Sequence, residues 1–295
     1  MNTLAEETSL PKESESLWGK AWYKFRRDRT GMIALGVVIF FMFIALGVWA
    51  GLWGSGWSNV GGDMWAGPSP EHWLGTNIIG QDIYSRAIYS TKTAFEVGMV
   101  VAILSTILGG ILGALSGYFT NSWVDELILW LMGVLDSIPF YLFVAAIAYA
   151  LQGYPYSMHI AMIATFWTTT ARLVRGEVIK LKNFEFVEAA RAIGLPQGKI
   201  IFRHIMPNTF HILLVQATIV FVGAIKSEVI LSFLGLGVVD GVSWGLMIAE
   251  STQEVQAGHY SNFLTASTFL FVLVMAFNMF SDSLQDALDP KKVSA

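Results

Sequence analysis

The sequence contains no cysteine and few charged residues for its length. With no cysteine among 295 residues, disulfide bonds, thiolate metal sites and a cysteine nucleophile are excluded. Charged residues make up 14% of the chain, against roughly 25% in an average soluble domain, whereas hydrophobic residues make up 54%. The formal net charge is −4, so the composition does not favour nucleic-acid binding. The low content of charged residues and the high content of hydrophobic residues indicate a protein whose surface lies mostly in lipid.

The sequence also lacks the common motifs of nucleotide-binding and hydrolytic enzymes. Gly19-Lys20 and Gly198-Lys199 lack the upstream glycine and the following Ser or Thr of a phosphate-binding loop. The five histidines form no H-E-x-x-H motif. We therefore expect no catalytic residue, no metal site and no cofactor in this chain.

Six apolar segments predict membrane-spanning helices, because about 20 apolar residues are needed to cross the hydrocarbon core. They cover residues 33–53, 97–119, 127–151, 156–171, 211–236 and 263–280. These segments lack the strict alternation of barrel strands, so the predicted fold is an all-α polytopic membrane protein. The first segment is too long and starts too late to be a cleaved signal peptide.

The positions of lysine and arginine predict the orientation of these helices. Fifteen of the 18 lie before the first span, in residues 172–210 or after the last span. The segments between the other helix ends contain only Arg86 and Lys92. By the positive-inside rule, both termini and the 172–210 loop are predicted to be cytoplasmic.

Residues 1–31 are predicted to form a cytoplasmic tail, and residues 32–295 the transmembrane domain. The first 16 residues are polar, and we expect them to be disordered. Residues 18–25 place aromatic side chains on one face among basic ones. This pattern is typical of a short helix in the membrane interface, or equally of a charged stop before the first span.

Three charged residues lie within the predicted spans. Asp136, followed by the potential kink site Pro139, needs to face the bundle, water or a partner. It is either a pathway or gating element, or a carboxylate near the cytoplasmic end that reaches water. Lys226 and Glu228 are two positions apart and cannot share a helix face. They have either a structural or gating role in the bundle, or direct contact with substrate.

A stripe of small residues runs along the second predicted span. Gly109, Gly113 and Gly117 recur every four residues. Such a stripe allows another helix to approach closely. We expect this helix to lie inside the bundle.

The cytoplasmic segment 183–208 predicts two helices. Residues 184–193 are rich in alanine and have helical spacing, with Gly194 as the C-terminal cap. Pro196 opens a second helical run that is predicted to stop before Pro207. The expected helix–turn–helix exposes a small-residue face with two aromatics, which suits docking into a groove on another protein.

Four short segments have the residue order of one transport family. They are Glu188-Ala189-Ala190 with Gly194 and Ile205-Met206-Pro207; His72-Trp73-Leu74-Gly75-Thr76-Asn77 with Gly80-Gln81-Asp82 and Ser85-Arg86; Ser232-Phe233-Leu234-Gly235-Leu236-Gly237 with Ser243-Trp244-Gly245; and Asp286-Ala287-Leu288-Asp289-Pro290. The first resembles the EAA loop of bacterial ABC importer permeases. The other three resemble the dipeptide/oligopeptide permease family, C-type subunit. Asn77 and Gln81 depart from the family's usual Asp and Arg, and Lys226 is an unusual charge.

This resemblance implies a six-helix, ABC type I importer permease-like fold in the bacterial inner membrane, transporting di- or oligopeptides. It implies a second related permease, two ATPase subunits that bind ATP and Mg²⁺, and a periplasmic or lipid-anchored peptide-binding protein. The 172–210 loop would then couple the permease to the ATPases, with residues 184–193 seated in an ATPase groove. The coupling residues implied are Phe184, Glu188, Ala189, Ala190, Arg191, Gly194, Arg203 and Pro207.

Other functions remain open at this point. The same type of transporter could carry nickel or another metal chelate, glutathione or cationic peptides. An ion-coupled secondary carrier would use Asp136, Lys226 and Glu228, but it would not need a loop for docking an ATPase. A membrane scaffold without transport would tolerate apolar replacement of Asp136 and Glu228.

Overall fold

The computed structural model describes residues 17–238 and 240–289, and the regular secondary structure in this part of the chain consists of helices and two isolated β-bridges, joined by turns and irregular segments. The polar first 16 residues and Pro290 lie outside the described residues. The helices are α1 Leu17–Arg27, α2 Arg29–Trp49, α3 Ile83–Tyr118, α4 Trp123–Asp136, α5 Phe140–Ala150, α6 Ser157–Leu181, α7 Glu185–Ala192, α8 Gln197–Lys199, α9 Phe210–Phe233, α10 Trp244–Gln256 and α11 Ser261–Leu288. The predicted all-α fold is confirmed.

Within the described residues, four helical stretches are long and apolar enough to cross a membrane. They are α2, α3, α11 and the continuous run Gln197–Phe233. Helices α4 and α5 together meet the same criterion but form a broken pair, bent by 92°. Helix α6 does not meet it, because His159, several threonines and Arg172 lower its hydropathy. The count of six spans therefore stays a prediction.

The break between α4 and α5 lies where the sequence predicts a kink. Helix α4 ends at Asp136, and Pro139 directly precedes α5. Proline has no N–H to donate and disfavours helical geometry in the residue before it, so the helix cannot continue through this position. The segment predicted as one span is therefore two short helices.

The prediction that the second cytoplasmic helix stops before Pro207 is wrong. A π-helical turn at Ile200–Ile205 and a 3-10 turn at Met206–Thr209 connect α8 to α9, so the helical run continues. Pro207 lies in the first turn of the 3-10 segment, a position where proline is tolerated. The N–H of Met206 donates instead to the carbonyl of Ile201 across the wider turn.

Helices α3 and α6 pack with their backbones in contact along the glycine stripe. A Cβ atom on Gly109 would lie 2.5 Å from the carbonyl oxygen of Trp167, and one on Gly113 would lie 2.9 Å from the Cα of Ala171. Gly117 has a similarly close contact with α6. No side chain larger than hydrogen fits these positions, which confirms the expectation of close helix packing.

The N-terminal helix α1 lies against the end of α11. Ala21 and Phe25 are buried, and the ring of Phe25 packs edge-on against Phe280 at 5.8 Å between centroids. Trp22 and Tyr23 lie on the exposed side. The amphipathic helix is therefore present, and its location in the membrane interface stays a prediction.

The glycine stripe makes a stability prediction. Gly113→Ala should lower the free energy of unfolding by about 1–3 kcal/mol, because the added methyl group overpacks the α3–α6 contact. Gly133→Ala in α4 is the matched control, since a Cβ there meets nothing within 4 Å. Equilibrium unfolding in mixed detergent micelles measures both, and equal stabilities of the two variants would contradict the close contact.

Candidate functional site

Helix α7, in the loop that is predicted to be cytoplasmic, has one buried face and one exposed face. Val187 and Ala190 are buried in a core with Val174 and Val178 of α6 and the isoleucines of the π turn. Glu188, Ala189 and Arg191 are exposed, as are the rings of Phe184 and Phe186 before and at its start. Among the residues predicted to contact an ATPase, Ala190 therefore points inward and supports the loop. The rest of that group, including Arg203 and Pro207, is exposed.

Gly194 ends α7 in the way the sequence predicts. Its φ of +78° lies in the left-handed region, where a side chain is strained. The N–H of Gly194 donates to Arg191 O at 2.9 Å, and that of Leu195 donates to Ala190 O at 3.2 Å. These two bonds form a Schellman cap, which fixes the direction of the chain after α7.

Two basic side chains connect the loop to the end of α3. The guanidinium of Arg191 lies over the ring of Tyr118, 5.4 Å from its centroid. Lys182 donates to the carbonyl oxygen of Tyr118 at 3.4 Å. Burial lowers the pKa of the Lys182 ammonium, and the nearby Arg191 lowers it further. A displacement of α7 would therefore also move the end of α3.

An ion pair that the sequence analysis missed holds the same end of the bundle together. Arg175 of α6 donates to both carboxylate oxygens of Asp125 in α4, each at 2.9 Å. Asp125 is only 2% exposed and also accepts from Ser116 of α3 at 2.5 Å and from the N–H of Asn121 at 3.0 Å. Three helices thus meet at one fully hydrogen-bonded carboxylate.

Asp136 has a partner on the neighbouring helix. It forms a half-exposed ion pair with Arg172 and accepts a hydrogen bond from Thr168 at 3.3 Å. Asp136 and Pro139 line one cavity of about 470 Å³ at the break between α4 and α5. The carboxylate is therefore paired, and a role in a pathway or gate stays a prediction.

Lys226 and Glu228 lie on different faces of α9, as their spacing predicts. Glu228 is buried and accepts from Ser232 at 2.5 Å. A Cβ atom on Gly245 would come within 3.0 Å of its Oε2, so the glycine leaves room for the carboxylate. Lys226 is exposed and has no ion pair or hydrogen bond within the described residues. Neither residue lines the cavity at Asp136.

The signature segment at residues 72–86 contacts helix α10 at the predicted outer end of the bundle. Arg86 of α3, 2% exposed, forms an ion pair with Glu250 of α10 and a hydrogen bond with Gln81. Glu254, one turn further along α10, accepts from the N–H of Ile78 at 2.8 Å. Burial raises the pKa of Glu250, which the Arg86 guanidinium counteracts. The sequence analysis quoted Arg86 only as a motif residue and missed both glutamates.

The two departures from the signature contact each other. Asn77 donates to Gln81 Oε1 at 3.1 Å, and the N–H of Gln81 donates to Asn77 Oδ1 at 2.8 Å. The two amides thus hydrogen-bond to one another across the turn before α3.

Comparisons with known proteins agree on one family. A family model described as "binding-protein-dependent transport system inner membrane component" matches residues 77–294, and one described as "N-terminal TM domain of oligopeptide transport permease C" matches residues 16–52. Dipeptide transport system permease protein DppC of Bacillus subtilis (strain 168) is 32% identical over 97% of this chain and 89% of its own length. The OppC oligopeptide permease protein of the same organism is 33% identical, covering 96% and 92%. Glutathione transport system permease protein GsiD of Pectobacterium atrosepticum is 32% identical, covering 95% and 93%.

Two arginines of α6 give a matched test of the buried ion pair. Arg175→Met should cost about 3–5 kcal/mol of unfolding free energy, because it leaves the buried Asp125 carboxylate without its cation. Arg172→Met, one turn earlier, removes an exposed pair and should cost about 1 kcal/mol or less. Unfolding in mixed micelles compares them directly. Equal losses of unfolding free energy in the two variants would mean that the burial of Asp125 does not determine how much its ion pair stabilises the protein.

Proposed function

The chain belongs to the family of inner membrane components of binding-protein-dependent transport systems, and we propose that it is a permease subunit that imports di- and oligopeptides in an ATP-driven transporter. It is a multi-pass inner membrane protein. The observation that carries the proposal is full-length similarity to dipeptide and oligopeptide permease proteins, combined with an exposed loop suited to an ATPase.

The proposed complex contains a second related permease, two ATPase subunits and a binding protein that delivers peptide from outside. ATP and Mg²⁺ bind to the ATPases, and this chain hydrolyses nothing itself. The exposed face of α7, with Glu188 and Ala189 at its centre, docks into the ATPase. The core-facing Val187 and Ala190 support the proposal, because they hold that face rigidly against α6.

Coupling in this proposal runs through direct contacts. The ATPase moves α7, and the Schellman cap at Gly194 transmits the movement because it fixes the chain direction. The contact of Arg191 with Tyr118 passes it to α3, and the Asp125–Arg175 pair keeps α3, α4 and α6 moving together. Each ATPase state must then contact the loop differently, since only differential contacts shift a conformational equilibrium.

Glutathione is the second candidate substrate. The similarity to a glutathione permease protein extends over 95% of this chain, and its 32% identity equals that found with the dipeptide permease protein of Bacillus subtilis. Glutathione is itself a small peptide, so one transport path could suit both. Uptake of glutathione against that of an alanine tripeptide separates the two. An ion-coupled carrier is less favoured, because it has no use for the docking loop.

The docking proposal predicts a defect without misfolding. Glu188→Lys should abolish growth on peptides as the amino-acid source and prevent copurification of the ATPases, because it reverses charge at the centre of the docking face. Glu126→Lys is the control, an exposed carboxylate in the first turn of α4, outside the loop. Normal uptake in the Glu188→Lys strain would remove α7 from the coupling assignment.

The orientation can be tested because the chain has no cysteine. Single cysteines at Gly61 and Gly198 occupy exposed positions where a Cβ meets nothing within 4 Å. With both termini cytoplasmic, an impermeant maleimide added to intact spheroplasts should label the cysteine at 61 and leave the one at 198 unlabelled until the cells are lysed. The reverse pattern would invert the topology.

A further inference from the structure

A small polar cavity lies at the predicted outer end of the bundle. It is enclosed by the start of α6, the outer part of α3 and the segment after α9, and its volume is about 170 Å³. Lys92, Glu96, Tyr156, His159 and Asp240 line it. None of these residues belongs to the coupling loop, to the cavity at Asp136 or to the Arg86 network.

The histidine in this cavity lacks hydrogen-bond partners. His159 is only 6% exposed, and neither ring nitrogen has a partner within the described residues. The nearest ring, that of Tyr156, meets it edge-on at 5.6 Å and supplies no hydrogen bond. Burying an imidazole without a partner is costly, so such a group usually faces water or a ligand.

The charged residues of the cavity form no ion pair within the described residues. Lys92 and Glu96 are four residues apart on one face of α3, yet they form no ion pair. The ammonium of Lys92 instead donates a long hydrogen bond to the hydroxyl of Tyr89 at 3.5 Å and lies 5.1 Å from the centroid of that ring. Glu96 and Asp240 accept no hydrogen bond within the described part of the chain. The cavity therefore presents two carboxylates and one ammonium that can all receive a ligand.

The size of the cavity limits what it can hold. Its volume is several times that of one water, which occupies about 30 Å³, and lies below the roughly 300–1,000 Å³ of pockets that enclose a whole small molecule. One end of a longer ligand fits these limits. The excess of carboxylates favours a cationic end, since a terminal carboxylate would face two like charges.

We propose that this cavity is a subsite for the free α-amino end of a peptide, an inference that rests on the proposed function. Glu96 and Asp240 accept hydrogen bonds from the α-ammonium. His159 and Lys92 donate to the carbonyl oxygen of the first residue. The positive charge of a peptide's first residue thus meets the carboxylates of the cavity, its carbonyl oxygen meets the two donors, and the imidazole gains its missing partner.

Cysteine protection tests the subsite directly. Tyr156→Cys places a single thiol at the rim of the cavity, where the native side chain is 61% exposed. Tyr260→Cys is the matched control on the same predicted side, where the tyrosine is 53% exposed. Alkylation by a maleimide is measured on the full chain, purified with its accompanying subunits in nanodiscs. Trialanine should slow alkylation at 156 and not at 260, whereas N-acetyl-trialanine should slow neither.

Removing one hydrogen-bond acceptor from the cavity should weaken the protection of the thiol by trialanine. Glu96→Gln and, separately, the exposed Asp240→Asn should each raise the trialanine concentration for half-protection about tenfold, because one charge-assisted hydrogen bond is lost. Glu71→Gln, an exposed carboxylate on the same side, should change nothing. An unchanged rate of alkylation of the cysteine at 260 in each carboxylate variant shows that the variant is folded.

The outcomes separate the subsite from the transport function. Absence of protection by trialanine, equal protection by the N-acetylated peptide, or full protection in both carboxylate variants would overturn the subsite. Growth on peptides that depends on this chain would leave the proposed function standing in each of those cases. Growth on peptides that persists after deletion of the chain would overturn the function itself.

Discussion

The direct backbone contact between α3 and α6 is the constraint on which the rest of the structure depends. Because Gly109 and Gly113 carry no side chain, the two helices touch along much of their length. At the predicted cytoplasmic ends of these helices, Arg175 of α6 and Ser116 of α3 then both donate to Asp125 of α4. At the opposite ends, the same pair of helices encloses the cavity around His159. The proposed coupling region and the proposed subsite thus lie at the two ends of one helix pair.

Charged groups in this bundle are stabilised by partners from distant segments. Arg86 is paired with Glu250, 164 positions away, and Asp125 with Arg175, 50 positions away. An unpaired charge in such surroundings would be strongly destabilising, so each pair also fixes which helices are neighbours. Lys226 differs from these paired residues, because it is exposed on α9 and has no partner in the described residues. Its surface is therefore suited to contact with something outside this chain.

The sequence predicted features that depend on neighbouring residues. The break at Pro139, the cap at Gly194 and the helix over residues 184–193 follow from local backbone chemistry, and the structure contains all three. The glycine stripe was also readable, because its period alone indicates close packing. The continuation of the helix through Pro207 was missed, since it depends on a π turn that local propensity does not predict.

The ion pairs could not be predicted from neighbouring residues in the sequence. Nothing in the sequence around Asp125 distinguishes it from the neighbouring Glu126, yet one is buried and bonded and the other exposed. The cavity at His159 likewise joins residues from three distant parts of the chain. Such sites arise only when the helices are assembled.

Helix α3 has 36 residues, which at 1.5 Å each make a rod of roughly 54 Å, almost twice the thickness of the hydrocarbon core. A rod of this length acts as a lever. If it pivots at its middle, a tilt of about 5° displaces each tip by roughly 2 Å in opposite directions, which follows from its length alone. A small displacement of the helix end at Tyr118 would thus produce an equal and opposite displacement of the other end. No bond inside the helix needs to change.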